Sequence, residues 1–380
     1  MINTGLSFWE KDRYFNNIDV AIIGGGIVGL NAAIHLKKKH KKLKVAVLDK
    51  GLLSNGASSR NAGFCCFGSP GELLDDLKSH SESTVFSLVE KRWKGLQKLR
   101  KNLGDKAIDF HNWGGYEVFD SEEEYHLCLE KLDYLHKNIS PLIGIKTVYE
   151  NATDQIKKFG FKGVKGMIVN LAEGQIDTGK MMSVLIAKAY KAGVYIINMC
   201  EVQNIEDQDD SVLIHPKEGT IIISRRALIC TDGFSKPLLP NDPIEPYRAQ
   251  VLISKPIPNL KLKGTFHYDK GYYYFRNVGN RILLGGGRNL DFKTENTDRD
   301  GLTDLVQNRL NDLLQNMIAP YTKPEVDMRW SGILGLGNDK TPIIKPVSKN
   351  VFCAVRLGGM GVAIGSLVGE EAGEMVGKGL

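Results

Sequence analysis

The clearest pattern in the chain is a short apolar run that ends at a cluster of glycines. Residues 19–23 are apolar and β-branched after the initial aspartate, and they lead into Gly24-Gly25-Gly26-Ile27-Val28-Gly29. From Ile27 to about His40 the apolar positions recur with helical spacing, and residues 45–48 form a second apolar run that ends at Asp49. This pattern predicts a complete β-α-β unit near the start of the chain.

Similar patterns return in the middle of the chain. Apolar positions predict a helix over residues 179–192 and a strand over residues 194–197. Two alternating segments, 211–215 and 220–224, predict a hairpin, and residues 227–231 form a further short buried strand. The middle of the chain therefore contributes more strands to a sheet.

Clustered prolines then mark a change of architecture. They concentrate in residues 237–258, which makes this segment the best candidate for a crossing between domains. Beyond it, the sequence predicts antiparallel strands over 265–268, 271–277 and 281–285, and a helix over 301–317.

The end of the chain repeats the pattern of the beginning. An apolar run over residues 351–355 is followed by Gly358-Gly359-Met360-Gly361 and by a helical stretch rich in alanine and glycine. Separated α/β segments can share one sheet only if the antiparallel strands form a layer of their own. The fold class predicted is therefore α/β, with a discontinuous Rossmann-type domain and an α+β domain that contains an antiparallel sheet.

Composition limits the function classes. The 380 residues are 42% hydrophobic and 25% charged, which is ordinary for a globular protein, and the net charge of +6 is too small to indicate a nucleic-acid partner. The six cysteines show no C-x-x-C spacing, so zinc, thioredoxin-like and disulfide-framework proteins are excluded. We expect no metal, no signal peptide, no membrane span, and a cytoplasmic protein with reduced thiols.

The glycines near the start have a specific chemical use. In Gly24-x-Gly26-x-x-Gly29 the first glycine makes the tight turn, the second lets the backbone approach a pyrophosphate, and the third permits close packing of the helix. Asp49, at the end of the next strand, is placed to accept the ribose hydroxyls. The alternatives are a glycine turn without a ligand and an ordinary surface acid, and they leave the position of Asp49 unexplained. The unit predicts dinucleotide binding and does not distinguish NAD from FAD.

Motifs along the whole chain resemble the D-amino acid oxidase-like (DAO) family of flavoenzymes. The segment 55–64, NGASSRNAGF, is similar to the G-A-S-x-R-N-x-G stretch of that family, and Glu173-Gly174-Gln175-Ile176 to its E-G-Q-I element. Residues 228–233, 247–251 and 357–361 are similar to later family motifs in the same order. Segments 7–10 and 114–117 further resemble the bacterial gamma-glutamylputrescine oxidase and glycine oxidase-like group.

The resemblance implies FAD as the cofactor and assigns the domains. The FAD-binding domain is expected to comprise residues 1–85, 150–232 and 326–380, and the substrate domain residues 86–149 and 233–325. The positions that match the cofactor-binding motifs of the family are Gly24, Gly26, Ile27, Val28, Gly29, Asp49, Lys50, Ala57, Ser58, Ser59, Arg60, Asn61, Ala62, Gly63, Val202, Thr231, Gly233, Gly332, Gly358, Gly359, Met360, Gly361 and Val362.

The chain departs from relatives in this family at four positions. Sarcosine-oxidase-like members attach FAD through a cysteine where this chain has Gly332, and dimethylglycine-type members use a histidine where it has Arg60. We therefore expect noncovalent FAD. Glycine-oxidase-like members bind the substrate carboxylate with an arginine where this chain has Leu334, and sarcosine oxidases present a lysine to the flavin near the level of Leu283. A simple α-amino acid substrate and an oxidase activity are therefore less secure expectations than an oxidoreductase activity.

Candidate substrate contacts lie on the tyrosine-rich strand. Alternation places Tyr273 and Phe275 on one side of the strand, and Tyr272 and Tyr274 on the other. The candidate catalytic residues are Tyr273, Arg276 and Arg288. The arginines are candidates for binding a carboxylate that lies farther from the reacting nitrogen. The sequence identifies no catalytic base.

The function that these features predict is oxidation of the C–N bond of a small amine or amino acid. Hydride would pass to flavin N5, and the imine would hydrolyse. The electrons would then pass to oxygen or another acceptor. Two alternatives remain open at this point, namely an FAD-dependent 2-hydroxy acid dehydrogenase and an electron-transfer module without its own substrate. The length and pattern of the segment 247–321 disfavour the second alternative, because such a segment is not a linker.

Overall fold

A computed structural model describes residues 5–380. The first four residues, which the sequence analysis assigns to the FAD-binding domain, lie outside the described residues. The helices are, in chain order, α1 (Phe8–Glu10), α2 (Ile27–Lys39), α3 (Ala57–Arg60), α4 (Pro70–Asp76), α5 (Glu82–Leu103), α6 (Glu122–Glu130), α7 (Leu132–Ile143), α8 (Ile156–Phe159), α9 (Thr178–Lys191), α10 (Phe292–Glu295), α11 (Asp304–Leu313) and α12 (Gly361–Gly377).

The strands alternate with these helices in the first part of the chain and follow one another in the second. They are β1 (Ile18–Ile23), β2 (Val45–Leu48), β3 (Phe64–Cys65), β4 (Gly115–Phe119), β5 (Tyr149–Asn151), β6 (Gly166–Asn170), β7 (Gly174–Gln175), β8 (Tyr195–Ile197), β9 (Val202–Asp207), β10 (Val212–Pro216), β11 (Ile222–Ile229), β12 (Glu245–Ser254), β13 (Thr265–Tyr268), β14 (Tyr273–Val278), β15 (Arg281–Gly286), β16 (Val326–Leu336), β17 (Ile343–Pro346) and β18 (Val351–Val355).

The chain forms two compact units. The first unit comprises the chain up to Ser59 together with Thr178–Pro246 and Ile333–Leu380, and the second comprises Arg60–Asp177 and Tyr247–Gly332. These boundaries differ from those that the sequence predicts. Residues 60–85 and 150–177 belong to the second unit, whereas residues 233–246 belong to the first.

Long-range packing explains each of these differences. In the second unit, β5 and β6 pair in one sheet with β4, which brings residues 149–170 into that unit. Phe67 and Leu73 pack in the same apolar cluster as Phe119 and Ile168, so the segment after residue 60 belongs there as well. In the first unit, Leu239 lies in the core beneath the sheet and holds residues 233–246 there.

The first unit is built on a largely parallel sheet. Its strands lie in the order β17-β18-β11-β1-β2-β8, with β10 paired to β11 and β9 to β10. The pairs β18–β11, β11–β1, β1–β2 and β2–β8 are parallel. Their carboxyl ends therefore meet at one edge, which is where ligands bind in open α/β sheets.

One strand of this sheet differs from the sequence prediction. The segments 220–224 and 227–231, predicted as two strands, form the single strand β11. Its first half pairs antiparallel with β10 and its second half parallel with β18, while β1 pairs along most of its length. Strands β10 and β18 pair with successive parts of β11 on the same side. This change of partner explains why the sequence shows two separate apolar patterns within one continuous strand.

Helix α12 packs directly on α2. Four glycines of α12, spaced four residues apart, face α2, and a Cβ atom added to Gly369 would lie 2.6 Å from the carbonyl oxygen of Val28. A Cβ atom on Gly373 would lie 2.9 Å from the carbonyl oxygen of Ala32, and one on Gly365 would lie 2.6 Å from the Ile27 side chain. The two helices therefore approach at backbone distance, which only glycine allows here.

The second unit is built on a mixed sheet. Its strand order is β16-β12-β15-β14-β13-β4-β6-β5, and β3 and β7 form a separate small pair. Strands β13 and β4 are parallel, and the pairs β12–β15, β15–β14, β14–β13, β4–β6 and β6–β5 are antiparallel. One face carries an aromatic core in which the rings of Phe266 and Phe275 stack with centroids 4.9 Å apart. Helix α11 adds Val306 and Leu310 to this core.

Of the helices formed by residues 5–380, none combines the length and the apolar composition that crossing a bilayer requires.

The packing of α12 on α2 makes a prediction about stability. Helix propensity alone would let Gly369→Ala stabilise the protein by roughly 0.5–1 kcal/mol. We expect destabilisation by about 1–3 kcal/mol instead, because the new methyl group would overlap the backbone of α2. Urea denaturation measures the change. Glu371→Ala, on an exposed position of the same helix, is the control and should change stability by less than about 0.5 kcal/mol. An increase in stability for Gly369→Ala would contradict the packing argument.

Candidate active site

The glycine turn of the first unit lies between β1 and α2. Gly24 has φ +109°, and a Cβ atom there would lie 2.6 Å from the carbonyl oxygen of Cys230. A Cβ atom on Gly29 would lie 2.0 Å from the carbonyl oxygen of Gly24. Both positions therefore require glycine, as the roles of the first and third glycines of the motif predict.

The second glycine of the motif lies beside Ser58. Gly26 is the N-cap residue of α2 and has no side chain with which to cap the helix. The Ser58 hydroxyl instead accepts a hydrogen bond from the Ile27 amide at 2.9 Å. A Cβ atom on Gly26 would lie 2.7 Å from that hydroxyl oxygen. Ser58 therefore contacts the glycine turn at the positive end of α2, although it lies 31 residues from Ile27 in sequence. Val28 lies in the first turn of the same helix.

Asp49 supports the same turn from the end of β2. Its Oδ2 atom accepts a hydrogen bond from the Gly25 amide at 2.8 Å, and its Oδ1 atom accepts one from the Gly51 amide at 2.9 Å. The residue is 7% exposed. Each carboxylate oxygen retains a further acceptor site, so the carboxylate can hold the turn and still accept hydroxyl groups.

A second glycine turn precedes α12 in the first unit. Gly358 and Gly359 have φ +61° and +78°, in the left-handed region that other residues disfavour. Met360 is the N-cap residue of α12, and Gly361 and Val362 begin the helix. The buried Asp232 carboxylate joins this turn to neighbouring strands, because it accepts hydrogen bonds from the amides of Gly335 (2.9 Å) and Leu357 (3.1 Å).

Other predicted cofactor-binding residues surround the ends of β2 and β11. The Lys50 ammonium group lies 3.1 Å from the ring centroid of Phe234. The hydroxyls of Thr231 and Ser235 are hydrogen-bonded at 3.0 Å. Val202 begins β9, and a Cβ atom on Gly233 would lie 2.8 Å from the backbone of Leu334. In α3, which begins at Ala57, the Ser59 hydroxyl donates to the carbonyl oxygen of Gly56.

The second unit contains the remaining predicted cofactor-binding residues. Arg60 donates to the carbonyl oxygen of Ser331 at 2.8 Å and forms an ion pair with Asp300 at 3.0 Å. A Cβ atom on Gly332 would lie 3.2 Å from the Cβ atom of Arg60. Asn61 accepts from the amide of Gly63 at 2.8 Å. Ala62 is buried in the same apolar cluster as Val251 and Leu283.

The tyrosine strand β14 presents two different faces in the second unit. Tyr273 and Phe275 point into the aromatic core on the α11 side of the sheet. Tyr274 packs on the opposite face, in the cluster formed with Ala62 and Leu283. Arg276, two residues after Tyr274, follows it on that face by strand alternation. Tyr273 is 3% exposed and belongs to the aromatic core, whereas Tyr274 shares its face of the sheet with Arg276. The catalytic role of Tyr273 stays a prediction.

Aromatic rings form a wall on the Tyr274 face. The Phe64 ring stacks on His267 with centroids 5.3 Å apart, and it meets the Tyr274 ring edge-on at 5.7 Å. Burial raises the pKa of Tyr274 to about 12 and lowers the pKa of His267, so both side chains are neutral at pH 7. We call Phe64, His267 and Tyr274 the aromatic wall.

Arg276 is a buried charge on the same face of the sheet. The residue is 6% exposed, and its Nε atom has no hydrogen-bond partner. Burial lowers the pKa of Arg276 to about 10, which still leaves the guanidinium charged at pH 7. Arg288 lies over the ring of Tyr272 at 5.2 Å from its centroid and has no such buried position.

Buried acids in the second unit were not identified by sequence reasoning. Glu173 accepts hydrogen bonds from the amides of Phe67 and Gly68 at 2.7 and 3.1 Å, and Glu117 accepts one from Gly71 at 2.7 Å. Burial raises the pKa of Glu173 to about 8 and that of Glu117 to about 7. The two carboxyl groups fix the backbone that follows Phe64. Their partners are 46 to 106 residues distant in sequence, and no local signal indicates such pairs.

Among residues 5–380, His, Cys, Asp and Glu side chains form no group that could hold a metal ion.

Comparison with known proteins identifies the family. The family model for DAO, FAD dependent oxidoreductase, matches residues 19–375. Glycine oxidase from Geobacillus kaustophilus is 23% identical over 376 residues, which cover 94% of this chain and 92% of that protein. The mitochondrial L-2-hydroxyglutarate dehydrogenase from Dictyostelium discoideum is 24% identical over 348 residues, which cover 82% of this chain and 73% of that protein.

Structural similarity extends over nearly the whole chain. The crystal structure of glycine oxidase from Bacillus cereus matches with a TM-score of 0.77 at 17% sequence identity, and the match covers 95% of each chain. The predicted α/β fold class, the family and the FAD cofactor are thereby confirmed. The chain belongs to the DAO family of FAD-dependent oxidoreductases.

Proposed function

We propose that this oxidoreductase oxidises the C–N bond of a small amine or amino acid. The carbon next to the neutral nitrogen loses a hydride, which leaves an iminium ion. Loss of the N–H proton from this ion gives the imine, and water hydrolyses the imine to a carbonyl compound and an amine or ammonia. When bound, the flavin supplies the acceptor for this hydride, and oxygen or another acceptor later takes up the electrons. The observation that carries the proposal is the neutral aromatic wall in the second unit.

The aromatic wall favours the reactive form of an amine. An ammonium group cannot release a hydride from the neighbouring carbon, because its nitrogen has no lone pair to form the C=N bond. Phe64, Tyr274 and the uncharged His267 offer an apolar surface that favours a neutral nitrogen over an ammonium. Leu283 extends this surface, since it lies opposite Arg276 on the next strand. We assign no catalytic base, because desolvation alone favours loss of the proton.

The first unit fits a dinucleotide at its glycine turn. Cβ atoms at Gly24, Gly26 and Gly29 would overlap neighbouring atoms, so the backbone there is bare and open to close approach. The first turn of α2 offers amide groups and the positive end of the helix dipole to a pyrophosphate. Asp49 would accept the ribose hydroxyls with the acceptor sites that the Gly25 and Gly51 amides leave open.

The turn before α12 fits the electron-rich edge of a reduced flavin. Gly358 and Gly359 hold the left-handed turn, and α12 begins directly after Met360. Amide groups in the first turn of a helix lack intrahelical partners and stabilise negative charge. Gly361 and Val362 are proposed to stabilise that charge. Arg60, Asn61, Ala62, Gly63 and Gly332 are proposed as further contacts on the basis of the family motifs.

Noncovalent attachment of FAD is supported by the thiols near the aromatic wall. A cysteinyl link would need a thiolate nucleophile. Burial raises the pKa of Cys65 to about 12 and that of Cys66 well above its usual range, so neither thiol ionises at neutral pH. Arg60 and Gly332 occupy the positions of the histidine and cysteine that link FAD in some members of the family.

A panel of reductants tests the proposed reaction. The protein containing FAD is mixed anaerobically with primary amines, secondary amines, amino acids and 2-hydroxy acids, and bleaching of the flavin absorbance is followed. We expect amines or amino acids to bleach the flavin and hydroxy acids to leave it oxidised. The proposal fails if hydroxy acids bleach the flavin and no amine does, because the reaction would then oxidise a C–O bond.

Asp49 makes a prediction about cofactor affinity. Asp49→Asn keeps the shape of the side chain but leaves one of two buried amide donors without an acceptor, which costs about 1–3 kcal/mol. We therefore expect the dissociation constant of FAD to rise about 10- to 100-fold. Flavin fluorescence during titration of the apoprotein measures it.

The matched control for Asp49 is at the other edge of the same sheet. Asp19 accepts a hydrogen bond from the Lys44 amide at 2.7 Å at the amino end of β1. Asp19→Asn removes an equivalent carboxylate far along the strand from the glycine turn and should leave FAD affinity unchanged. Equal FAD affinity in Asp49→Asn and in the unmodified protein would contradict the assigned role of Asp49.

A further inference from the structure

The Nε atom of Arg276 lacks the hydrogen-bond partner that a buried donor normally has. A guanidinium group removed from water is costly unless it is hydrogen-bonded or paired. Its Nε atom has no hydrogen-bond partner although the residue is only 6% exposed. The nearby carboxylates of Asp109 and Asp177 attract it through charge. A donor buried in this way fits an anionic oxygen supplied by a ligand.

Gln175, which lies beside the strand that carries Arg276, has a buried acceptor atom without a hydrogen-bond partner. Its Nε2 atom donates to the carbonyl oxygen of Asn277, the residue after Arg276, at 3.3 Å. Its Oε1 atom is buried and has no hydrogen-bond partner, and the residue is 4% exposed. Strand β14 therefore contributes an unpaired donor, Arg276 Nε, and strand β7 contributes an unpaired acceptor, Gln175 Oε1. Strand β3, the partner of β7, carries Phe64 of the aromatic wall.

Two unsatisfied groups of opposite kind restrict the chemistry of the ligand. Most buried polar side-chain atoms in native proteins are hydrogen-bonded, so each unpaired one calls for an explanation, and a ligand is one such explanation. Arg276 Nε requires an acceptor, and a carboxylate oxygen gives the strongest bond to a guanidinium group. Gln175 Oε1 requires an N–H or O–H donor. A carboxylate with a donor group on the adjacent carbon or nitrogen satisfies both.

We propose that Arg276 and Gln175 form a recognition site for such a carboxylate, and that the substrate is an amine with this group at its far end. The assignment rests on the proposed amine oxidation for its substrate role, whereas the binding site can be tested without turnover. Arg276 and Gln175 are specificity-determining residues here, and the aromatic wall receives the nitrogen end. Leu334 stands where relatives in the family use an arginine, so Arg276 binds the carboxylate from a different strand.

Calorimetric titration of the FAD-containing protein tests the site with carboxylates that lack an amine. Glycolate carries a hydroxyl donor next to its carboxylate, and acetate does not. We expect Arg276→Gln to raise the dissociation constants of both about 10- to 100-fold. We expect Gln175→Met to remove the advantage of glycolate over acetate and to leave acetate binding nearly unchanged. Arg309→Gln, which removes a positive charge on the Tyr273 side of the sheet, is the control and should bind both carboxylates normally.

Turnover gives a second and independent readout. The rate constant for anaerobic flavin reduction is measured with 4-aminobutanoate and with butylamine, and their ratio is the preference for a carboxylate. We expect this ratio to fall at least tenfold in Arg276→Gln and to recover partly in Arg276→Lys, which restores the charge. Variants are compared only where their FAD content and circular dichroism match the unmodified protein, and Arg276→Lys replaces Arg276→Gln if the latter does not fold.

The outcomes separate this proposal from the proposed reaction. Unchanged glycolate binding in both Arg276 variants would overturn the recognition site, even if amines reduce the flavin. If no amine reduces the flavin of the unmodified protein while glycolate binding depends on Arg276, the recognition site stands and the proposed amine oxidation fails. Loss of glycolate affinity in Arg309→Gln to the same extent as in Arg276→Gln would also overturn the site, because a general charge effect would then explain the binding.

Discussion

Helices α2 and α12 touch backbone to backbone, and this contact determines the shape of the first unit. The glycines of α12 that face α2 leave no room for a single methyl group at Gly369 or Gly373. The contact joins the beginning of the chain to its end. It also places two helices, each preceded by a glycine turn, against the same parallel sheet. A cofactor with a pyrophosphate and a flavin edge needs two such positive helix ends, so the family assignment and the packing of α12 support each other.

The second unit has a different physical constraint, because its aromatic wall must be held in place next to buried polar and ionisable side chains. Glu173 and Glu117 bind backbone amides of residues 67–71, directly after Phe64. Arg92, which is almost fully buried, donates to the carbonyl oxygen of Phe67 at 3.0 Å and lies 3.7 Å from Glu72. Glu173 and Glu117 have partners within the protein, whereas Arg276 Nε and Gln175 Oε1 have none, and Arg92 keeps an unpaired Nη2 atom although it lies beside Glu72. The proposed recognition site rests on Arg276 Nε and Gln175 Oε1 because both lie on segments next to the aromatic wall.

The features that the sequence predicts well are local. Gly24, Gly26 and Gly29 follow an apolar strand and precede a helical pattern, and each of these signals spans only a few residues. Strand alternation likewise separates Tyr273 from Tyr274, but it gives no information about which side receives α11. Alternation also places Tyr274 on the side of Arg276, and this relation is visible in the sequence.

The features that the sequence does not predict depend on distant partners. The domain boundaries move because β5 and β6 pair with β4 across tens of residues. In the sequence Asp232 resembles an ordinary turn residue. In the structure its carboxylate accepts hydrogen bonds from the amides of Gly335 and Leu357, which are more than 100 residues away. A single sequence contains no periodicity or spacing that records such pairs. The unpaired Nε atom of Arg276 could not be predicted from the sequence either, because a missing hydrogen-bond partner can be recognised only when all neighbouring residues have been placed.

The central claim is that a neutral amine meets a neutral aromatic surface, and the pH dependence of flavin reduction tests it most directly. The rate constant for anaerobic reduction by a reactive amine is measured from pH 6 to about pH 10 at low amine concentration. The account predicts a rise of about tenfold per pH unit that levels off only near the apparent pKa of the amine, about 10 for an alkylamine. A flat profile would contradict it. So would a rise centred below about pH 6.5, the usual pKa of imidazole, since burial lowers the pKa of His267 and His267 would then be acting as the base.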